Sequence, residues 1–574
     1  MTLISNGDPA ATFSFWGNAC RWQRLALVVL LVLAAGYRWL GIIHTNPTAV
    51  VNMPLPDDAF YYLTLARNAA AGQGLTISAD GTPTNGFQPL WGLLLIGLQA
   101  MLDGPQAPSM LTVAQLNGAV LGMLTGLLVL ELTLRLSGRP GIALLAAACL
   151  LLSPQVLKHQ LNGMETSLAT LAGLLILALH LAVSRWARTA AGAGMAGLVT
   201  GLALLSRLDM VVLLAACWAV LVLVSRPKLT WPGLSGYLAG MSLPWLAWTW
   251  LAASQGVGPV PESGSAVRNL TLMVRHLPAR GLIESLSQQP ALFIPFYASN
   301  LLEFSSAWIR QTPVLLPATL PVVAAAGIDL GVQLSALLGV LVLMLAFTQA
   351  WRRRQSVEGR AWAIWLLFTI GASFAYSLAV LGPWFYQRYA APLAVIANVL
   401  ILTVIGRSTR QLALRPWLTG GLAAAILAGF VALISAGSYR WVAVGPAAVA
   451  DDGFYRAAAY IDDRLPPGTR VGVFSAGLIS YYADQPIIPL DGKVHRGARQ
   501  ALAEGRMLEF LCRTNVEYLL DWEQMIGSLA ERRSEAWQPG DLTPVAVLEV
   551  EAYNDLALVR IEPAACQRVA GGGP

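Results

Sequence analysis

The sequence predicts a polytopic α-helical membrane protein with a small α/β domain at its C-terminal end. Of its 574 residues, 56% are hydrophobic and only 12% are charged, and apolar runs near the length of a bilayer crossing recur along the chain. After about residue 437, short runs typical of strands, such as RVGVF, alternate with helical stretches. The formal net charge of +6 falls in short basic clusters between apolar runs, which argues against a nucleic-acid partner.

The apolar runs define twelve candidate transmembrane segments. The first, at 25–43, follows the basic sequence RWQR and lacks a small-residue cleavage site, so we expect a retained signal anchor with a cytoplasmic N-terminus. The other candidates lie at 88–102, 111–134, 139–153, 166–183, 192–206, 208–225, 231–252, 328–350, 361–381, 389–406 and 416–436.

Four basic clusters predict the topology. They are SRWAR (184–188), SRPK (225–228), WRRRQSVEGR (351–360) and GRSTRQLALR (406–415), and the positive-inside rule assigns all four to the cytoplasm. Counting back from them places the loops 44–87 and 253–320 and the tail 437–574 outside the membrane. Counting forward gives a cytoplasmic tail instead, so one segment is re-entrant or a further crossing is hidden, for example in 312–330. We prefer the count from the basic clusters, which predicts about 11 to 13 helices in the inner membrane and a periplasmic tail.

The chain therefore divides into a transmembrane domain, 1–436, and an extracytoplasmic α/β domain, 437–574. RVGVF, VEYLLDW and VAVLEV predict strands of a partly parallel sheet, with LALVRIEP at an edge. Cys512 and Cys566 are the only cysteines of this tail, so a disulfide is chemically permitted, although its formation depends on their geometry.

An acidic pair begins the segment PDDAFYYLTLARNAAAGQG, 56–74, in the first outer loop. The segment predicts a helix with Asp57 as N-cap, in which Asp58 shares a face with Tyr61 and Tyr62. An aspartate at a helix start often does nothing more than cap it. Capping explains one acid more easily than two.

The sequence GTPTNGFQPLW, 81–91, follows this helix and leads directly into a span. Its polar residues Asn85 and Gln88 lie at a membrane boundary near two carboxylates, where polar groups are typical of a binding pocket. Together with Tyr61 and Tyr62, they are predicted to contact substrate.

Several motifs together carry a resemblance to a known superfamily. The helix DDAFYYLTLARN, the phrase TNGFQPLW, the later NGMET (162–166) and LLSRLD (204–209) are similar to bacterial members of the GT-C glycosyltransferases, of the arabinofuranosyltransferase-like and protein-mannosyltransferase-like kinds. The tail sequence VGVFSAGLISYYADQPIIPLDG resembles the exported domain of the same bacterial group. The resemblance implies transfer of a monosaccharide from a polyprenyl-phosphate donor to a glycan, lipid or protein acceptor at the outer face of the membrane.

In such enzymes the acidic motif of the first outer loop supplies a general base, and the matching residues are Asp57 and Asp58. The resemblance favours Asp57, while the residues themselves leave the choice open. A carboxylate that accepts the acceptor's proton during a single displacement would invert the anomeric centre and contribute about 10²–10⁴-fold. The second carboxylate would orient the acceptor, cap the helix or hold a divalent cation, which this chemistry permits without requiring it. No other cofactor is predicted.

The departing lipid phosphate needs a cation, and two arginines are candidates. Arg388, beside Tyr386 at the predicted outer mouth of a span, can grip phosphate oxygens bidentately, although aromatic and basic residues also anchor helix ends. Arg207 and Asp209 lie between two apolar halves, where ionisable residues are costly and usually functional or mutually paired. Glu165 begins a span and, like Asp209 and Tyr386, is predicted to contact substrate. For Glu165 the alternative is stabilisation of the helix start.

The tail carries its own polar string, PLDGKVHRGARQALAEGR, 489–506. Asp491, Lys493 and His495 in this string are expected to bind the acceptor or to pack against the membrane part, and not to catalyse the reaction.

Two functions from other classes compete with glycosyl transfer. A transporter or flippase of a lipid-linked glycan would predict charged residues at mid-membrane depth in related halves, and the sequence has no internal repeat of that kind. A non-catalytic envelope scaffold, with the tail as its binding module, is the third option. The donor sugar cannot be named, because pocket shape decides it.

Overall fold

The computed structural model of the protein describes residues 15–43, 56–102, 109–225, 230–278, 282–315, 335–411, 429, 453–531, 537–549 and 555–570. The helices in these ranges, labelled in chain order, are α1 (Phe15–Asn18), α2 (Arg21–Ile43), α3 (Asp57–Ala70), α4 (Pro89–Met101), α5 (Met110–Ser137), α6 (Pro140–Leu151), α7 (Pro154–Gln160), α8 (Thr166–Leu181), α9 (Val183–Trp186), α10 (Ala190–Ser206), α11 (Met210–Val220), α12 (Trp231–Ser254), α13 (Ser263–Val274), α14 (Leu282–Gln288), α15 (Pro290–Gln311), α16 (Ser335–Arg352), α17 (Val357–Phe374), α18 (Tyr386–Gln411), α19 (Gly453–Arg464), α20 (Ala476–Tyr482), α21 (Arg496–Glu504), α22 (Met507–Arg513), α23 (Glu523–Ala530) and α24 (Pro563–Ala570).

The helical part has the apolar helices expected of a polytopic membrane protein. Among the described residues, five helices are long and apolar enough to cross a membrane, or six if the pair α6 and α7, bent by 61°, forms one crossing. The five are α2, α5, α16 and the stretches Val357–Val380 and Pro383–Ser408, while α4, α8, α10 and α11 with its extension to residue 224 are shorter apolar helices at further predicted spans. The predicted fold class of a polytopic helical membrane protein is confirmed.

Helix α2 illustrates how these helices meet lipid. Leu25, Val29 and Val32 are exposed on one side, whereas Leu30 and Ala34 are buried against other helices. A row of exposed aliphatic side chains would be unfavourable in water but is favourable in a hydrocarbon layer.

Some predictions fall outside the described residues. These are the span at 416–436, most of the candidate crossing at 312–330 and the chain around the domain boundary at 436/437. The number of crossings and the domain boundary stay predictions.

The tail forms a five-stranded mixed sheet. Its strands are β1 (Val471–Val473), β2 (Ile487–Pro489), β3 (Tyr518–Trp522), β4 (Leu542–Leu548) and β5 (Leu556–Ile561), in the order β2-β1-β3-β5-β4. Strand β1 pairs in parallel with β2 and β3, and β5 pairs antiparallel with β3 and β4. The predicted α/β domain is thus confirmed.

Two details of the sheet differ from the prediction. Strand β2 is not among the predicted strands, because Pro486 and Pro489 flank its two isoleucines and proline in a short run argues against a strand. LALVRIEP, expected at an edge, forms β5 in the interior, since five of its six strand residues are buried, while the exposed β4 takes the edge position. Cys512 and Cys566 are bonded, with their Cα atoms 5.3 Å apart, and link α22 to α24.

Helix α3, from the first outer loop, lies between the tail and the helical part. Every residue from 58 to 66 is buried. Phe60 and Leu65 share one hydrophobic core with Trp91 of the helical part and with Val471 and Ile479 of the tail. Because one core spans all three segments, the tail is an integral part of the molecule.

Helices α3 and α20 pack in parallel, and charged side chains join them at both ends. Asp57 accepts hydrogen bonds from the N–H groups of Gly477 (3.1 Å) and Leu478 (2.8 Å) at the start of α20. At the other end, Arg67 donates to the carbonyls of Ser480 and Tyr481. An acid at a helix start and a base at its end both complement the helix dipole. The prediction that Asp57 caps its own helix is wrong, because Pro56 occupies the N-cap position.

The closeness of these helices predicts the effect of a single methyl group. A Cβ atom at Gly477 would lie 2.0 Å from the carbonyl oxygen of Asp57, so Gly477→Ala should separate α3 from α20 and lower the free energy of unfolding by about 1–3 kcal/mol. Thermal unfolding of the detergent-solubilised protein measures the change. The matched control is Gly527→Ala in α23, where nothing lies within 4 Å of the new Cβ; equal effects of the two substitutions would contradict the packing argument.

Candidate functional site

The carboxylate of Asp58 lies between two cations from distant parts of the chain. Its Oδ2 atom accepts a hydrogen bond from Arg388 at 2.6 Å, and its Oδ1 atom accepts one from Lys493 at 2.7 Å. The three side chains are between 10% and 13% exposed, so the group is largely buried but still reaches the surface. We call Asp58, Arg388 and Lys493 the charge triad.

Lys493 enters the triad from the tail and is itself held by a second acid. Its Nζ atom lies 3.0 Å from Oδ2 of Asp491, and Asp491 also accepts hydrogen bonds from the Lys493 N–H and, at 2.9 Å, from the Tyr61 hydroxyl. The backbone of Gly86 presses against Lys493 so closely that a Cβ there would lie 1.8 Å from the Lys493 carbonyl oxygen. The first outer loop therefore fixes Lys493 from two sides.

The topology of the sheet explains why these tail residues face the first outer loop. Asp491 and Lys493 follow β2, and the start of α20 follows β1, so both segments leave the same edge because β1 and β2 are parallel. The carboxyl edge of a parallel sheet is where α/β folds commonly place binding residues. In this protein that edge is covered by α3.

The two aspartates of the acidic pair have different environments. Burial alone would raise the pKa of Asp58, but the charges of Lys493 and Arg388 outweigh burial and hold that pKa well below its usual range. For Asp57, burial is the largest influence and raises the pKa to about 7, although the N–H groups of Leu478 and Gly477 act in the opposite direction. Asp58 is therefore an ionised, ion-paired group, and Asp57 titrates near neutral pH.

Arg207 supports the segment that carries Arg388. It donates to the backbone carbonyls of Arg388 (3.1 Å) and Tyr389 (3.0 Å), and its guanidinium pairs with Asp209. Asp209 also accepts a hydrogen bond from the Tyr376 hydroxyl at 2.7 Å. The alternative of a structural Arg–Asp pair thus describes the contacts of these two residues.

Glu165 and Tyr62 form a second polar contact beside the triad. The Tyr62 hydroxyl donates to Glu165 at 2.9 Å and accepts a hydrogen bond from the Gln88 N–H at 3.1 Å. Glu165 is buried and occupies the N-cap position of α8, but its side chain makes no capping hydrogen bond. It is therefore directed at α3, and the structure brings Glu165, Tyr62 and Gln88 together.

Two predicted substrate contacts have other partners. The Asn85 amide donates to the carbonyls of Gly258 and Val260, joining the two outer loops. The Tyr386 hydroxyl donates to the Asn300 side chain at 2.8 Å and is buried. None of these hydrogen bonds involves a residue of the charge triad.

Lys493 is not predicted from the sequence to take part in the reaction, although the sequence contains one signal for it. The chain has three lysines, Lys158, Lys228 and Lys493, so Lys493 is the only lysine in a tail that otherwise uses arginine. A single lysine next to Asp491 in a strand-end loop is the pattern that could have singled it out. The prediction that Asp491, Lys493 and His495 pack against the membrane part agrees with their contacts, since His495 also bonds Asp80 of the first outer loop at 3.0 Å.

The acidic pair does not fit a divalent cation as arranged. Both oxygens of Asp57 accept backbone N–H groups, and both oxygens of Asp58 face a positively charged donor. A metal ion would have to displace or oppose those charges. Within the described residues, no group of three or more His, Cys, Asp or Glu side chains is suited to hold a metal.

Comparisons with known proteins bear on the tail and on the whole fold. A family model described as a domain of unknown function (DUF8728) matches residues 447–560. No curated protein matches the chain.

Solved membrane proteins are similar over most of the chain. The oligosaccharyltransferase of Archaeoglobus fulgidus in the apo form has a TM-score of 0.53 at 16% sequence identity, covering 90% of this chain and 72% of its own. AglB from the same organism, in complex with an inhibitory peptide and a dolichol-phosphate, has a TM-score of 0.50 at 14% identity, covering 89% and 71%. ArnT from Cupriavidus metallidurans in the apo state has a TM-score of 0.42 at 14% identity, covering 94% and 99%. The similarity to the archaeal enzyme confirms the GT-C fold.

The raised pKa of Asp57 predicts a pH dependence of stability. The pKa rises from its ordinary value of 3.8 to about 7 on folding, so the contribution of the protonated carboxyl is complete below about pH 4 and is lost as the pH rises through about 7. Asp57→Asn removes this titration and keeps one oxygen acceptor. We expect the free energy of unfolding of the variant, relative to wild type, to increase between pH 4 and pH 8 by on the order of a few kcal/mol.

Denaturant or thermal unfolding at a series of pH values measures this difference. Asp462→Asn is the matched control, because Asp462 also accepts backbone N–H groups, from Asp484 and Gln485, but is half-buried. A relative stability of Asp57→Asn that stays constant over the whole range would contradict the assignment.

Proposed function

We propose that the protein is a glycosyltransferase that moves a monosaccharide from a polyprenyl-phosphate donor to an acceptor at the outer face of the inner membrane. The observation that carries the proposal is the charge triad, in which a carboxylate and two cations meet next to the end of an apolar helix. A carboxylate can accept a proton from an acceptor hydroxyl, and cations can hold a lipid phosphate. The GT-C fold supports the same class of reaction.

Asp58 is the proposed general base. A base must reach the proton that it removes, and geometry takes precedence over pKa in choosing it. Both oxygens of the Asp57 carboxylate accept backbone N–H groups at the start of α20, whereas the two ion-pair partners of Asp58 are side chains, which can change their contacts when a substrate binds. The proposal therefore departs from the preference for Asp57 that the resemblance gave.

Arg388 is the proposed ligand of the donor phosphate. Its guanidinium reaches Asp58 through one terminal nitrogen, while its buried Nε atom has no hydrogen-bond partner among the described residues. A buried guanidinium N–H without a partner is costly and can be satisfied by a phosphate oxygen. Arg207 acts indirectly in this proposal, because it holds the backbone of Arg388 and Tyr389.

The reaction is a single displacement in this proposal. Asp58 accepts the proton of the acceptor hydroxyl as its oxygen bonds to the anomeric carbon, and the bond from that carbon to the phosphate oxygen breaks. The anomeric configuration inverts, and the lipid phosphate leaves with its negative charge next to Arg388. Tyr61, Tyr62, Asn85, Gln88, Glu165, Asp209 and Tyr386 remain predicted substrate contacts.

The disulfide supports an extracytoplasmic tail. Cys512 and Cys566 are bonded within it, and structural disulfides persist in oxidising compartments such as the bacterial periplasm. The archaeal oligosaccharyltransferase, solved with an acceptor peptide and with a dolichol-phosphate, supports a lipid-linked donor for this chain by its shared fold.

Substitution of each aspartate tests the base. We expect Asp58→Asn to lower kcat by about 10²–10⁴-fold, because an amide cannot take the proton, whereas Asp57→Asn should retain transfer within about tenfold. Purified protein in proteoliposomes, radiolabelled polyprenyl-phosphate sugars and candidate acceptors give the measurement.

The same assay separates the competing functions. Full transfer by Asp58→Asn would remove Asp58 from the role of base. Movement of the labelled donor across the vesicle membrane without transfer would favour a flippase. Neither transfer nor movement with any donor would favour the scaffold.

Topology has a separate test. A reporter that is active only in the periplasm should be active when fused after residue 437, because the basic clusters place the tail outside. Activity of a cytoplasmic reporter at that position would overturn the proposed orientation.

A further inference from the structure

We infer that Lys493 of the tail keeps Asp58 inactive as a base until a donor phosphate binds, and that Lys493 and Arg388 then transfer their contacts from Asp58 to the phosphate. The inference rests on the proposed function and adds to it the residue that couples donor binding to base activation.

The charge triad holds the Asp58 carboxylate at both of its oxygens. Each oxygen of this carboxylate accepts one short hydrogen bond from a positively charged group, at 2.6 and 2.7 Å. Both oxygens of the carboxylate are therefore engaged by charged donors. Because these donors stabilise the ionised form, the carboxylate is a weak proton acceptor. Activation requires that at least one cation moves its contact elsewhere.

A donor phosphate offers Arg388 and Lys493 an alternative to their contacts with Asp58. A phosphate is an anion with several acceptor oxygens and competes directly with Asp58 for both donors. Arg388 has an unused buried Nε atom, and Lys493 is a flexible ammonium with three donors. No covalent change is needed, since only hydrogen bonds are exchanged and every charge is conserved.

Lys493 is also held in place by contacts other than its ion pair with Asp58. Asp491 binds its ammonium at 3.0 Å and its N–H at 2.8 Å, and Tyr61 holds Asp491. Lys493 can therefore leave Asp58 and stay at the site.

Other charged and titratable groups face the charge triad from each packed element. On α3 these are Asp57, Tyr61 and Tyr62; Arg388 comes from α18, Glu165 from the start of α8, and Asp491 and Lys493 from the tail. Among the described groups, only Lys493 and Arg388 make ion pairs with Asp58. Removing one of them should make Asp58 easier to protonate.

The experiment compares Lys493→Met with Lys493→Arg. Binding of polyprenyl monophosphate to the full-length protein in nanodiscs is measured first, and Lys493→Met should weaken it by about 10- to 100-fold, while Lys493→Arg should recover most of the affinity. In the transfer assay, the acidic limb of the kcat/KM profile should move toward neutral pH by about one pH unit or more in Lys493→Met. A purely structural lysine would change neither the phosphate affinity nor the position of that limb.

Two further variants keep the test decisive. Arg464→Gln removes an exposed tail cation far along the chain from the triad and should behave as wild type. If Lys493→Met does not fold, the double variant with Asp58→Asn and Lys493→Met replaces it, because it removes one negative and one positive charge together. The double variant should bind polyprenyl monophosphate more weakly than Asp58→Asn alone. Equal phosphate affinity with and without Lys493 would overturn the inference.

The outcomes also separate this inference from the proposed function. Phosphate binding that depends on Lys493, together with no transfer from any donor by the wild type, would reject the glycosyltransferase and leave the phosphate site. Transfer that depends on Asp58 with phosphate binding independent of Lys493 would reject only the inference.

Discussion

The carboxylate of Asp58 is the point on which the arrangement of this molecule depends. It pairs with Arg388, 330 residues away, and with Lys493, 435 residues away. Charges that are largely removed from water are tolerated when they are paired, and loss of one partner from such a group is costly because the others are left uncompensated. Helix α3, the start of the apolar helix α18 and the tail therefore meet at one ion-paired site.

That constraint makes the tail part of the site. The edge of the sheet at which β1 and β2 end faces α3, so the polar loops that follow those strands meet the first outer loop and not solvent. Asp57 and Arg67 hold the two parallel helices α3 and α20 at their ends, and the apolar core continues through them into the helical part. The tail, which the sequence separates from the helical part by composition, thus supplies Lys493 to the charge triad together with Asp491, which binds it.

The acidic pair shows how environment separates two identical side chains. Asp57, one residue before Asp58, accepts two N–H groups of α20 and has a raised pKa. Asp58 faces two cations and has a lowered pKa. A pKa near neutral would by itself favour Asp57 as the base, but a carboxylate occupied by backbone donors cannot approach a substrate. The proposal of Asp58 rests instead on its partners, which are the side chains of Arg388 and Lys493 and not backbone N–H groups.

The sequence by itself determined the membrane class, many of the apolar helices, the α/β tail with its partly parallel sheet and the helix that carries the acidic pair. These features follow from local patterns: the length of apolar runs, the period of helices and strands, and the composition of the tail. It also indicated Asp58, Arg388 and Glu165 as candidates, because charged residues at membrane boundaries are costly and therefore informative.

Only the tertiary structure decided that Asp57 caps a helix of the tail, that Tyr386 and Asn85 have structural partners, that LALVRIEP lies inside the sheet, and that Lys493 reaches Asp58. Most of those facts depend on contacts between residues that are far apart in the chain. A local sequence pattern cannot predict which distant charge will pair with a buried one, because that pairing depends on how the whole chain folds.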